Sequence, residues 1–81
     1  MSAEFPVILF YKYVVIADPA GLVAAQRELC ATLGLKGRVL IAAEGINGTL
    51  AGPKAGVEQY VGALRADERF ADIEIKTSAG D

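Results

Sequence analysis

Eighty-one residues leave room for one small domain with a single core. Hydrophobic residues make up 53% and charged residues 22%, with 8 basic side chains against 10 acidic and a formal net charge of −2, which excludes a disordered chain and a bulk polyanion-binding charge. One cysteine and no histidine exclude a disulfide framework, a CxxC metal or redox site and imidazole acid–base chemistry; no metal or cofactor is expected. No run approaches the roughly 18 apolar residues of a membrane span, and no basic-then-apolar leader opens the chain. A globular, cytoplasmic protein without a membrane partner is expected.

Residues 5–16 form an apolar run rich in Val, Ile, Phe and Tyr, interrupted by Pro6 and Lys12. Both alternating sets are apolar, as in a central strand covered on much of both faces. Asp18-Pro19 predicts a helix start, because the carboxylate can accept the orphan N–H groups of the first turn and Pro fits the first helical position. Leu22, Val23, Gln26, Leu29, Cys30 and Leu33 draw one helical stripe, and Gly34 suits the left-handed residue that closes a helix. Residues 37–43 read as a second strand, with Val39 and Ile41 on one face and Arg38 and Leu40 on the other. Glu44-Gly45-Ile46-Asn47-Gly48 reads as a turn, and residues 49–51 as a third strand. Gly52-Pro53 opens a second helix with the stripe Val57, Tyr60, Val61 and Leu64. Asp67 and Glu68 end it, Phe70 is a core anchor, and residues 72–77 alternate as an edge strand. Residues 78–81 read as a tail.

The order β-α-β-β-α-β predicts an α+β, ferredoxin-like two-layer sandwich: a four-stranded antiparallel sheet with both helices on one face. At this size the stability is about 4–12 kcal/mol. The arrangement hosts many functions, so each must be argued from its residues. An RNA-recognition domain needs a basic residue, Gly and interleaved aromatics on its third strand; Lys36-Gly37-Arg38 starts that way but lacks the aromatics and lies on the second strand. An acylphosphatase needs a Gly-rich, Arg-bearing cradle after the first strand. Here that loop is Ala17-Asp18-Pro19, whose carboxylate repels an anion.

The segment Glu44-Gly45-Ile46-Asn47-Gly48-Thr49 is the most specific in the chain. Turn chemistry, with positive φ at Gly, explains it most simply; the alternative is a polar site built from Glu44, Asn47 and Thr49. Tyr11 and Tyr13 share one face of their strand and Lys12 takes the other. Rings in the core with hydroxyls reaching water are the favoured reading, over a stacking surface for bases. Lys36, Arg38, Lys54 and Lys76 read as ordinary solvated surface in preference to a basic patch, and Cys30 as a buried, inert thiol.

Taken together, Tyr11-Lys12-Tyr13-Val14, Asp18-Pro19, Leu33-Gly34-Leu35-Lys36-Gly37-Arg38-Val39-Leu40, Ala43-Glu44-Gly45-Ile46-Asn47-Gly48-Thr49 and Asp67-Glu68-Arg69-Phe70 resemble the N-terminal domain of the bacterial rhodanese-domain tRNA uridine 5-hydroxylases, over nearly the whole chain. The resemblance implies an acylphosphatase-like fold and a parent oxidoreductase that converts the wobble uridine of certain tRNAs to 5-hydroxyuridine with oxygen. It places the essential cysteine in a following rhodanese domain of about 100 residues; Cys30 does not match that loop. On this reading residues 1–81 are one accessory domain, without chemistry of its own, whose partners are the rhodanese domain of the same parent chain and tRNA. Lys12, Arg38, Asn47 and Lys76 are the candidate contacts, with Glu44 and Thr49 beside them. The alternatives are a protein-interaction or scaffold domain, and a small-ligand or acyl-phosphate site near Asn47.

Overall fold

The computed structural model describes residues 5–78. Strand β1 (Val7–Tyr13) leads into helix α1 (Pro19–Leu33), followed by β2 (Lys36–Ala42), β3 (Gly45–Ala51), helix α2 (Lys54–Ala66), a single 3-10 turn (Glu68–Phe70) and β4 (Glu74–Ser78). The sheet order is β2-β3-β1-β4, and every neighbouring pair is antiparallel. This is the ferredoxin-like arrangement expected from the order of elements. The expected tail at 79–81 lies outside the described residues. No helix among them is long and apolar enough to cross a membrane.

Both ends of α1 are closed as the sequence predicts. Asp18 Oδ1 accepts from the Gly21 N–H at 3.1 Å, with Pro19 in the first turn. Gly34 takes φ 73°, and its N–H and that of Leu35 return to the carbonyls of Ala31 and Cys30, the left-handed closure that glycine makes without steric cost. One face of the sheet then meets the helices. Ile8 and Phe10 from β1, Ile46 and Leu50 from β3, Val57, Tyr60 and Leu64 from α2, and Ile16, Leu35, Phe70 and Ile73 from the connections form the buried core. Inside it, the Tyr60 hydroxyl donates to Gln26 Oε1 at 2.5 Å, so that the polar member of the α1 stripe is satisfied where it is buried.

The Gly-Asn segment is strand, not turn. The hairpin between β2 and β3 is two residues long, Ala43 and Glu44, because Ala42 faces Gly45. Neither turn residue has positive φ, and among the described residues only Gly34 and Gly37 do. The carbonyls of Ala43 and Glu44 accept from Ile16 and Val14, at 2.9 and 3.0 Å, so the chain leaving β1 holds the turn from outside. Gly45 and Gly48 are required by close approach. A Cβ at Gly45 would run into the Lys12 carbonyl, and one at Gly48 would lie 2.7 Å from Cζ of Phe10 and 3.1 Å from the Arg38 carbonyl.

Candidate functional site

With β3 running from Gly45, alternation assigns each side chain a face. Ile46, Gly48 and Leu50 are buried toward the helices, and Asn47 and Thr49 are exposed on the opposite, open face. In β1, Ile8 and Phe10 are buried, while Leu9, Tyr11 and Tyr13 are exposed. Tyr11 and Tyr13 retain 65% and 82% of their accessible surface, which overturns the favoured reading that their rings belong to the core.

The strand register arranges the open face in rows. Arg38, Thr49, Leu9 and Lys76 form one row across all four strands, and Leu40, Asn47, Tyr11 and Glu74 form the next. Lys36, Ala51, Val7 and Ser78 lie beyond the first row, and Ala42, Gly45 and Tyr13 beyond the second. Four of the candidate residues, Arg38, Asn47, Thr49 and Lys76, therefore share two adjacent rows. Glu44 sits in the turn at the rim of the same face. Lys12 is not with them: it is half-buried on the helix face and pairs with Asp72. That pairing holds the Asp72 carboxyl below the usual carboxylate range, first through the hydrogen bond and then through charge.

Charge is segregated between the two layers. The open face carries Lys36, Arg38 and Lys76 against Glu74, with Glu44 at its rim, and among the described residues none of these three cations lies within ion-pair distance of a carboxylate. Lys54, by contrast, starts α2 on the other layer. There Arg69 is held by Asp67 at 2.6 Å, its guanidinium lies 5.2 Å from the centre of the Phe70 ring, and Arg65 donates to the Ile73 carbonyl at 3.0 Å. Three of the four cations therefore share the open face, Lys36 and Arg38 on one edge strand and Lys76 on the other. Reading β3 as strand from Gly45 would have revealed that face, because Ile46, Gly48 and Leu50 then declare the buried face and leave Asn47 and Thr49 on the open one.

Apolar and aromatic groups are interleaved with these charges. Leu9 and Leu40 are 46% and 54% exposed. The rings of Tyr11 and Tyr13 are 6.3 Å apart at an interplanar angle of 70°. Together with Leu40, Glu44 and Asn47 they line a shallow recess of about 620 Å³. A second groove, of about 500 Å³ at the β2 edge beside α1, is lined by Gln26, Arg27, Cys30 and Leu35 together with Lys36 and Arg38 of the edge strand. Its polar core member is already occupied by Tyr60; Cys30 is half-buried there, not fully buried as expected, and that burial pushes its thiol upward in pKa.

The position of an acylphosphatase-type anion cradle, after β1, is closed to that use. The Val14 and Ile16 N–H groups are committed to the turn carbonyls, and the Asp18 carboxylate occupies the α1 N-terminus. Asn47 lies on the far side of the sheet.

The fold and the open face define an α+β domain of acylphosphatase-like architecture whose exposed sheet combines cations with tyrosines. The chain belongs to the family of UPF0176 acylphosphatase-like domains, whose profile matches residues 5–81. It is 51% identical over 73 residues to a Staphylococcus carnosus protein named tRNA uridine(34) hydroxylase, a match covering 90% of this chain and 23% of that protein. A Bacillus velezensis protein of the same name is 48% identical over 81 residues, covering 100% of this chain and 25% of the relative. One from Enterococcus faecalis is 47% identical over 73 residues, 90% and 23% of the two chains. The chain spans about a quarter of the length of these curated relatives.

Proposed function

We propose that this chain is the accessory N-terminal domain of a cytoplasmic tRNA-modifying protein that hydroxylates uridine, and that it supports tRNA binding through the open face of its sheet. The observation that carries the reading is the set of Lys36, Arg38 and Lys76, without carboxylate partners among the described residues, on the same face as two exposed tyrosines. Cations positioned this way neutralise phosphates, and aromatics on a central strand offer π-faces to bases. The names of the relatives, and the quarter of their length that this chain covers, support a role beside a separate catalytic domain. The rhodanese domain of the same parent is that partner on the family resemblance, and the reaction belongs to it.

The test is an NMR titration of the chain with unmodified tRNA at low and moderate salt. Amide shifts are expected along the two rows that contain Arg38 and Asn47, and the affinity falls with salt. Arg38→Ala weakens binding and lowers the log–log salt slope by about 1, whereas Lys54→Ala at the start of α2 leaves both unchanged. Equal effects of the two substitutions, or no shifts at all, overturn the RNA reading. The exposed Leu9, Leu40, Tyr11 and Tyr13 support a second reading, in which this face packs against the rhodanese domain. Shifts on the same rows with that domain in place of tRNA would identify it.

A further inference from the structure

We infer that the corner of the open face beside the β2–β3 turn is a subsite for one unpaired nucleobase, so that the domain selects single-stranded RNA over duplex. This deepens the RNA reading above and rests on it. Tyr11 and Tyr13 form the walls of this corner. They are two residues apart on β1, so their side chains rise from the same face one row apart. Their rings do not lie parallel: at 70° and 6.3 Å between centroids they form two walls of a corner. A flat base stacked on one ring therefore meets the edge of the other, so the corner takes one base and not a continuous stack. The negative face of one aromatic and the positive edge of another favour this geometry for a third ring.

The recess floor supplies the means of reading that base. Asn47 faces Tyr11 across the β1–β3 ladder and Leu40 across the β2–β3 ladder, so its amide, a donor and an acceptor together, stands between an aromatic and an aliphatic contact. Glu44 at the rim adds an acceptor and repels phosphate. The phosphates are accommodated on the next row, where Arg38 and Lys76 lie on the two edge strands. The site thus places apolar and hydrogen-bonding groups at the turn end and positive charge one row away, the division of labour between base and backbone that single-strand binding requires.

Charge complementarity selects the occupant. A protein partner needs apolar area, which the corner offers, but gains little from three cations that among the described residues have no carboxylate within ion-pair distance; a polyanion uses both. Duplex RNA shows its phosphates to a flat face and keeps its bases stacked and out of reach. An unpaired nucleotide can be splayed into the corner.

The experiment compares a short unpaired RNA with a blunt RNA duplex of the same length, by fluorescence anisotropy of labelled RNA, for the wild-type chain and for Tyr11→Ala, Tyr13→Ala, Tyr13→Phe and Arg38→Ala. The single strand is expected to bind more tightly than the duplex. Either tyrosine-to-alanine change is expected to lower single-strand affinity about tenfold, within the stacking range per base, and to leave duplex affinity unchanged. Tyr13→Phe retains binding, because stacking needs the ring and not the hydroxyl. Arg38→Ala weakens both RNAs. Equal affinity for the two RNAs, with tyrosine variants that behave as wild type while Arg38→Ala still loses binding, overturns the subsite and leaves the electrostatic reading standing. Absence of binding to either RNA by the wild-type chain overturns both.

Discussion

The hydrogen bond between Tyr60 and Gln26 offers a measurable check on how the two helices are joined. Tyr60 is fully buried and Gln26 is 9% exposed, and the hydroxyl lies 2.5 Å from Oε1. Tyr60→Phe keeps the ring in the core beside Phe10, 5.8 Å away, but leaves the Gln26 carbonyl without its donor. A buried acceptor left unpaired costs about 1–3 kcal/mol; the slight exposure of Gln26 lets water reach it in part, so about 1–2 kcal/mol is expected. In a domain of this length that lowers Tm by roughly 5–15 °C. Adding Gln26→Leu removes the orphaned group, and the double variant should recover most of the loss. Urea unfolding followed by far-UV circular dichroism measures each, with the slope m unchanged. Burial, with a smaller charge contribution from Cys30, holds the Tyr60 pKa above its ordinary value of 10.0. A raised folded-state pKa means that this stability is complete below pH 10 and is lost as pH rises further, so the gap between wild type and Tyr60→Phe closes in alkali. Tyr60→Phe as stable as wild type, or a double variant that loses the sum of the two single losses, would refute the reasoning.

Gly48→Ala is expected to destabilise by about 1–3 kcal/mol, because the new methyl meets the buried Phe10 ring and the Arg38 carbonyl; a thermal melt equal to wild type would contradict the close approach. Burial raises the Cys30 pKa, so its reaction with a disulfide reagent at neutral pH should be much slower in the folded chain than in urea, and equal rates would refute that. The Asp67 carboxyl is held below its ordinary value chiefly by the Arg69 side-chain hydrogen bond, with burial opposing. Its contribution is present above pH 3.8 and lost as pH falls through the lowered pKa, so Asp67→Asn should flatten the acid limb of the stability curve. An unchanged limb would rule that out.

The elements were legible wherever a local rule applies alone. Asp18 with Pro19 and Gly34 fixed the ends of α1 through their own backbone chemistry, and the stripe containing Gln26 identified its buried side. The start of β3 was not legible, because Gly45 and Gly48 have the composition of a turn while their reason for being glycine is a neighbour far away in sequence: the Lys12 carbonyl for one, the Phe10 ring for the other. That misreading carried the larger one. With β3 too short, nothing in the sequence chose between the two apolar faces of β1, and a lysine between two tyrosines favours placing the lysine in water. The structure does the reverse, because Lys12 lies near the end of its strand and finds Asp72 on the helix side.

The separation of charge between the layers has a consequence for motion as well as for contact. The formal charge of −2 makes the molecule weakly repelled by a polyanion at long range, yet among the described residues the sheet face is positive and the helical layer carries slightly more carboxylates than cations. Such a particle carries a small dipole. In the field of a polyanion it experiences a torque before it is attracted, and it turns its sheet forward while still outside contact distance. Raising the salt shortens that reach to about 8 Å at physiological ionic strength. Orientation on approach is then lost, and under the proposed tRNA-binding role productive encounters become rarer even where the bound state is unchanged.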